Sequence, residues 1–163
     1  MSAVAEYAGF LAAHNIERVS QGNEVVPMLA YEGSDGMREV VKLPEPLDKG
    51  LAMGTKWLHS NPENANHAVI VFNGSVVLDD KDVDAVICKA VQYQPEPVSF
   101  KVAVPYSRTE NPPEFKVYRI KLLDYEGSES EPQFDPLVHA FFEGVEKNED
   151  GADVWFNNMD QSK

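Results

Sequence analysis

Apolar residues crowd most densely between Ala68 and Val104. Ala68-Val69-Ile70-Val71-Phe72 and Ser75-Val76-Val77-Leu78 flank Asn73-Gly74. Two apolar runs around Asn-Gly predict a hairpin, because a type I′ turn needs φ > 0 at both central residues. That turn would pair Phe72 with Ser75, Val71 with Val76, Ile70 with Val77 and Val69 with Leu78. One face of the 68–78 hairpin then carries Val69, Val71, Val76 and Leu78, the other Ile70, Phe72 and Val77. Both faces are apolar and both need covering. Each fully buried Val, Ile, Leu or Phe contributes about 1.5–3 kcal/mol before the entropy of ordering is counted.

Before the hairpin, Val4, Tyr7, Ala8 and Leu11 recur at i, i+3, i+4, i+7, which predicts a helix with one apolar stripe ending near His14-Asn15. Val25 to Tyr31 reads as a strand, and Pro27 pushes it toward an edge. Gly33-Ser34-Asp35-Gly36 reads as a turn and Met37 to Leu43 as a returning strand, stopped by Pro44 and Pro46. Leu47, Leu51, Gly54 and Leu58 have helical spacing, although Gly50 and Gly54 each cost about 1 kcal/mol relative to alanine.

After the hairpin, Asp79 to Tyr93 fits either element. Its apolar residues suit a helix face, but they are β-branched, and the short Gln94–Pro97 link suits a meander, so strand is the reading taken. Val98, Phe100, Val102 and Val104 alternate as a half-buried strand. Pro105 to Pro113, with three prolines, reads as a loop, and Phe115 to Leu123 as a further strand. In that strand Tyr118, Ile120 and Leu122 share one face and Val117, Arg119 and Lys121 the other. Glu126 to Pro132 reads as an acidic loop. Asp135 before Pro136 marks a helix start over Asp135–Asn148, with Leu137, Phe141 and Val145 on its apolar face. Ala152 to Phe156 reads as a short strand or apolar latch, and residues 157–163 as a frayed tail. The expected fold is therefore α+β: one domain over residues 1–163, a mainly antiparallel sheet centred on the 68–78 hairpin, with the N-terminal and C-terminal helices packed on it.

At 163 residues and 43% hydrophobic content, the chain can bury a core without staples. Cys88 is the single cysteine, which fits a reducing compartment. The first residues lack the pattern of a signal peptide, and no apolar run is long enough to span a membrane, so the expected location is cytoplasmic. The formal net charge is −13, unevenly spread: residues 124–163 hold eleven acids against two bases, whereas residues 67–123 hold seven of each. Such a surface repels phosphate, which argues against direct nucleic-acid binding. Solubility is the plainer role for this acid; a face for a basic partner is the sharper one.

Candidate chemistry is sparse. Asp80, Asp82 and Asp84 have the spacing of the first calcium-loop ligands, but Ala85 stands where that loop needs Gly and Val91 where it needs Glu. A solvated turn is the favoured reading there, and no metal or cofactor is expected. The histidines form no His-x-x-x-His pair. His59 and His67 flank a loop whose ends can be close. His139 and Glu143 lie one helical turn apart, which could orient an imidazole as a base, though such pairs are commonly solvent-exposed. Cys88, among Val86, Ile87 and Ala90, reads as a core thiol rather than a nucleophile. Lys101, Arg119 and Lys121, with Arg108 and Tyr106, could form a small basic-aromatic patch, against which stands a solvated sheet face with charge pairs. The Gly-rich signatures of nucleotide binding and the Gly-x-Ser-x-Gly elbow are absent from the sequence.

The leading functional expectation is a non-enzymatic cytosolic binding or adaptor protein that self-associates. The alternatives are a small-molecule hydrolase or isomerase using histidine and carboxylates, first tested at His59, His67 and Asp79 to Asp84, and an acidic nucleic-acid mimic using the region from Asp124 onward.

Overall fold

A computed structural model describes residues 2–127 and 134–163. The elements are α1 (Ser2–Ser20), β1 (Met28–Glu32), β2 (Arg38–Lys42), α2 (Leu47–Ser60), β3 (His67–Leu78), β4 (Lys81–Gln92), β5 (Val98–Glu110), β6 (Pro113–Tyr118), β7 (Lys121–Glu126), α3 (Phe134–Lys147), α4 (Glu149–Asn157) and β8 (Met159–Asp160). The eight strands form one sheet in the order β2-β1-β3-β4-β5-β6-β8, with β7 also paired to β5. All pairings are antiparallel except β6 with β8. The fold is α+β, with helices at both ends of the chain.

The expected turn at Asn73-Gly74 is not formed. β3 runs straight through both residues, and the chain reverses at Asp79-Asp80 instead, where φ is 49° and 66°. Aspartate tolerates the left-handed region better than most residues, so Asp-Asp can make the two-residue turn. The ladder then extends from His67↔Gln92 to Leu78↔Lys81. A reversal at 73–74 would have ended the pairing after a few residues and left β4 without a partner. Asn73 and Gly74 have other roles. Asn73 Oδ1 accepts a 2.7 Å hydrogen bond from the Tyr106 hydroxyl. Gly74 lies under Ile87, whose Cδ1 would collide with any added Cβ.

Both faces of the 68–71 segment are covered. On one face Val69 and Val71 join Val86, Cys88, Ala90, Phe100, Val102 and Val104 beneath α1. On the other, Ala68 and Ile70 meet Leu58 of α2, with the tilted rings of Trp57 and Tyr31 beside them, 4.9 Å apart. The glycines of α2 let it lie close: Gly50 faces the Pro44 carbonyl and Gly54 the Ile70 side chain. Beyond Val71 the covering thins, and Val77 is 63% exposed.

Several expectations change here. α1 does not stop near His14-Asn15 but continues to Ser20, and Ile16 and Val19 are buried along with the early stripe. It is buried on two sides rather than one, because α3 and α4 pack on α1, which lies between them and the sheet. The C-terminal helix α3 therefore covers α1, whereas α2 covers the β1–β3 part of the far sheet face. At the α1–α3 crossing the backbones touch: a Cβ on Gly9 would strike the Phe141 carbonyl, and one on Gly144 the Glu6 carbonyl. β1 is not an edge strand; it lies between β2 and β3, and Pro27 precedes it, where its missing N–H costs no ladder bond. β5 continues through Pro105 to Glu110, where a loop was expected, by passing from β4 to β6 at that point. The strand expected at 115–123 breaks at Arg119-Ile120, and β6 and β7 follow β5 with one inserted residue between them. The insertion shifts the alternation, so Val117, Ile120 and Leu122 all face the core. Residues 152–156 are helical, within α4, and the tail expected to fray contributes β8. Most of the acidic loop expected at 126–132 lies outside the described residues.

Candidate functional site

A cleft of about 780 Å³ lies at the C-terminal end of α1. One wall is Val19 with Gly22 to Val25 and Pro27, which connect α1 to β1; the other is Pro44 to Leu47, which connects β2 to α2. Asn73, Tyr106 and Arg108 form the floor. Each floor residue is held. Tyr106 is pinned by its hydrogen bond to Asn73, and burial, helped by Asp84, pushes its phenol pKa up to about 12. Arg108 donates to Glu110 at 2.9 Å and to the Ser20 carbonyl at 3.4 Å, at the negative end of the α1 dipole. The walls are mainly valine, proline and leucine, with Glu24 and Glu45 exposed among them. A preformed apolar concavity with a few fixed polar groups has the general make-up of a binding site.

The cleft lies where β1 ends. β1 pairs with β3 only from Met28↔Val71 to Glu32↔His67, so residues 72–78 of β3 have β4 on one side and, among the described strands, none on the other. Past Ala85 the β4 strand also leaves β5, so residues 72–84 project as a two-stranded arm.

A second polar group sits at the opposite end of β3. Arg38, Glu32 and His67 occupy adjacent strands in one row, beneath Tyr7 of α1. The Arg38 guanidinium lies 4.4 Å from the Tyr7 ring centre, and the His67 ring meets the Tyr7 edge at 5.7 Å. His67 is 3% exposed. Glu32 Oε2 is 3.3 Å from its Nε2, close enough to pair with a protonated ring, but neither ring nitrogen has a hydrogen-bond partner. Burial lowers the His67 pKa, against a smaller raising effect of Glu32.

The catalytic and metal candidates do not converge. His67 faces α1, whereas His59 is exposed on α2, on the other side of the sheet. His139 and Glu143 pair at 3.0 Å on the outer side of α3, with the histidine side chain 80% exposed. Asp80 is in the reversal, and Asp82 and Asp84 are on the arm opposite Val77 and Ser75, about 30 Å of strand away from His67. Among the described residues no group of three or more His, Cys, Asp or Glu could hold a metal ion. Cys88 is fully buried and its thiol is pushed up to about 12. The basic-aromatic patch does not assemble: Lys101 and Lys121 are on the sheet face away from α1, Tyr106 and Arg108 face the cleft, and Arg119 donates to the Gln161 carbonyl. The acids from Asp124 onward are divided among β7, α3, α4 and β8 in the described residues. No helix among them is long and apolar enough to cross a membrane.

Sequence reasoning singled out Tyr106 and Arg108 only as members of a patch, and missed the cleft. Its walls come from the two connecting segments, 21–27 and 43–46, whose prolines read as punctuation. Compared with protein-family models, curated proteins and solved structures, the chain matches none.

Proposed function

We propose that this chain is a non-enzymatic cytosolic binding or adaptor protein whose cleft receives a segment of a partner protein. The observation that carries this reading is the make-up of the cleft: about 780 Å³, walled by valine, proline and leucine, on a floor whose polar groups already have partners. Binding needs such walls, whereas general acid–base catalysis needs a group able to exchange its proton near neutral pH. Tyr106 holds its proton, and Arg108 is engaged by Glu110 and Ser20. The hydrolase or isomerase reading draws less support, because His59 and His67 are on opposite sides of the sheet, Asp82 and Asp84 are about 30 Å of strand from His67, and the His139–Glu143 pair is exposed on the outer side of α3.

Selection from a random-peptide display library tests the proposal. Peptides retained by the protein are expected to bind at least tenfold more weakly to Leu47→Arg, which puts a charge on an exposed wall position without touching the core. A library that returns no binder, or binders indifferent to Leu47→Arg, would contradict it. Self-association has its own observation: β2 is an edge strand exposed at all five residues, with Val40 58% and Val41 46% exposed. Light scattering across a concentration series tests it; a mass that stays monomeric removes it.

A further inference from the structure

The edge of β3 beyond the cleft carries a more specific reading, which rests on the proposed function. We infer that the partner segment is an extended, basic stretch of polypeptide that pairs with residues 72–78 of β3 and continues the sheet where β1 leaves off. Three observations meet at this place. The edge follows directly on the five-residue ladder of β1, so an added strand needs no rearrangement of β3. The cleft opens at Asn73, where that edge begins, and can take apolar side chains from the incoming strand. The arm is acidic: residues 72–84 hold four aspartates and one lysine.

The charge selects the occupant. Asp82 and Asp84 alternate with the buried Val86 and Cys88 along β4, so they lie on the face of the arm toward the cleft. A strand added to β3 stands two spacings, about 10 Å, from β4. A lysine or arginine on it reaches Asp84 across the small Ser75, and Asp82 across Val77, the partners of those aspartates in the ladder. Asp79 is already met by Lys163 at 3.4 Å, which leaves the inner aspartates for the partner. A second copy of this chain on the same edge would oppose one acidic arm to another, which disfavours it. Strand addition draws affinity from main-chain hydrogen bonds and selectivity from alternate side chains.

The probe is a capped eight-residue peptide with two lysines and two valines alternating on one face and threonine at every second position between them, beside a counterpart with glutamate for lysine and two versions N-methylated on alternate residues in either register. Fluorescence anisotropy at low ionic strength gives the affinities, and hydrogen exchange of the protein gives the place. The lysine peptide is expected to bind, to slow exchange at amides of residues 72–78, and to lose binding in at least one methylated register. Asp82→Asn with Asp84→Asn, both exposed, should weaken it roughly tenfold with an unchanged unfolding midpoint. Equal binding of the glutamate peptide, or protection elsewhere, overturns the inference. If the lysine peptide does not bind while library peptides sensitive to Leu47→Arg do, strand addition by a basic segment is wrong and the cleft reading stands. If neither binds, both fall.

Discussion

At the scale of single residues, burial decides which groups are chemically silent. Cys88 is enclosed by the core and its thiol donates weakly to the Ala8 carbonyl at 3.8 Å. Its thiol should react with a disulfide reagent only after unfolding, so labelling in native buffer and in denaturant should differ by orders of magnitude; rapid native labelling would contradict the packing. His67 is buried without a hydrogen bond and its pKa is lowered, so the folded state holds it neutral while the unfolded chain protonates near the ordinary histidine value. The unfolded state then binds more protons below about pH 6.5, and this part of the stability is present above that pH and lost as pH falls toward the folded pKa. Urea unfolding of the wild type should therefore show a steeper loss between neutral and mildly acidic pH than His67→Gln; identical slopes would remove His67 from the account. The candidacy of His67 was legible in the sequence but its environment was not, because Glu32, Arg38 and Tyr7 come from three other elements.

At the scale of elements, the outcome turns on which local signal the long-range pairing supports. Asn73-Gly74 has the stronger turn chemistry, yet the chain reverses at Asp79-Asp80, because that register pairs every residue of β3 with β4. The alternation of β3 runs through Asn73-Gly74 without a break, and the four aspartates after Leu78 were the better marker of a reversal. Replacing Asp79-Asp80 by Asn-Gly should raise stability by about 0.5–1 kcal/mol, read as a higher urea midpoint with unchanged slope. No gain would mean that the reversal is not of this type. The α1–α3 crossing gives a test of opposite sign. Alanine in place of a helical glycine ordinarily stabilises by about 0.5–1 kcal/mol. Gly144→Ala should instead destabilise by about 1–3 kcal/mol, since its methyl would meet the Glu6 carbonyl. A rise in midpoint would contradict the backbone contact. Periodicity located α2, α3 and the start of α1, but could not tell that α3 packs on α1, because an apolar stripe does not name its partner.

At the scale of the whole molecule, α1 is enclosed between the sheet and α3 with α4, α2 covers the β1–β3 part of the other sheet face, and the arm of residues 72–84 continues beyond the ladders of β1 and β5. Although the turn expected at Asn73-Gly74 is not formed, the α+β class followed from helical periodicity toward the two ends of the chain and β-branched or alternating runs between them. The cleft did not, because its walls are brought together by two connecting segments that are distant in sequence from its floor. Binding is proposed at this cleft and the adjoining β3 edge, and not at the histidines. Titrating the tightest display-selected peptide into isotopically labelled protein and following every backbone amide tests it most directly. Shifts should concentrate in residues 22–27, 44–47 and 72–78, with His59, His67 and His139 unmoved; shifts centred on those histidines, or on α3 and α4, would rule out the cleft as the binding site.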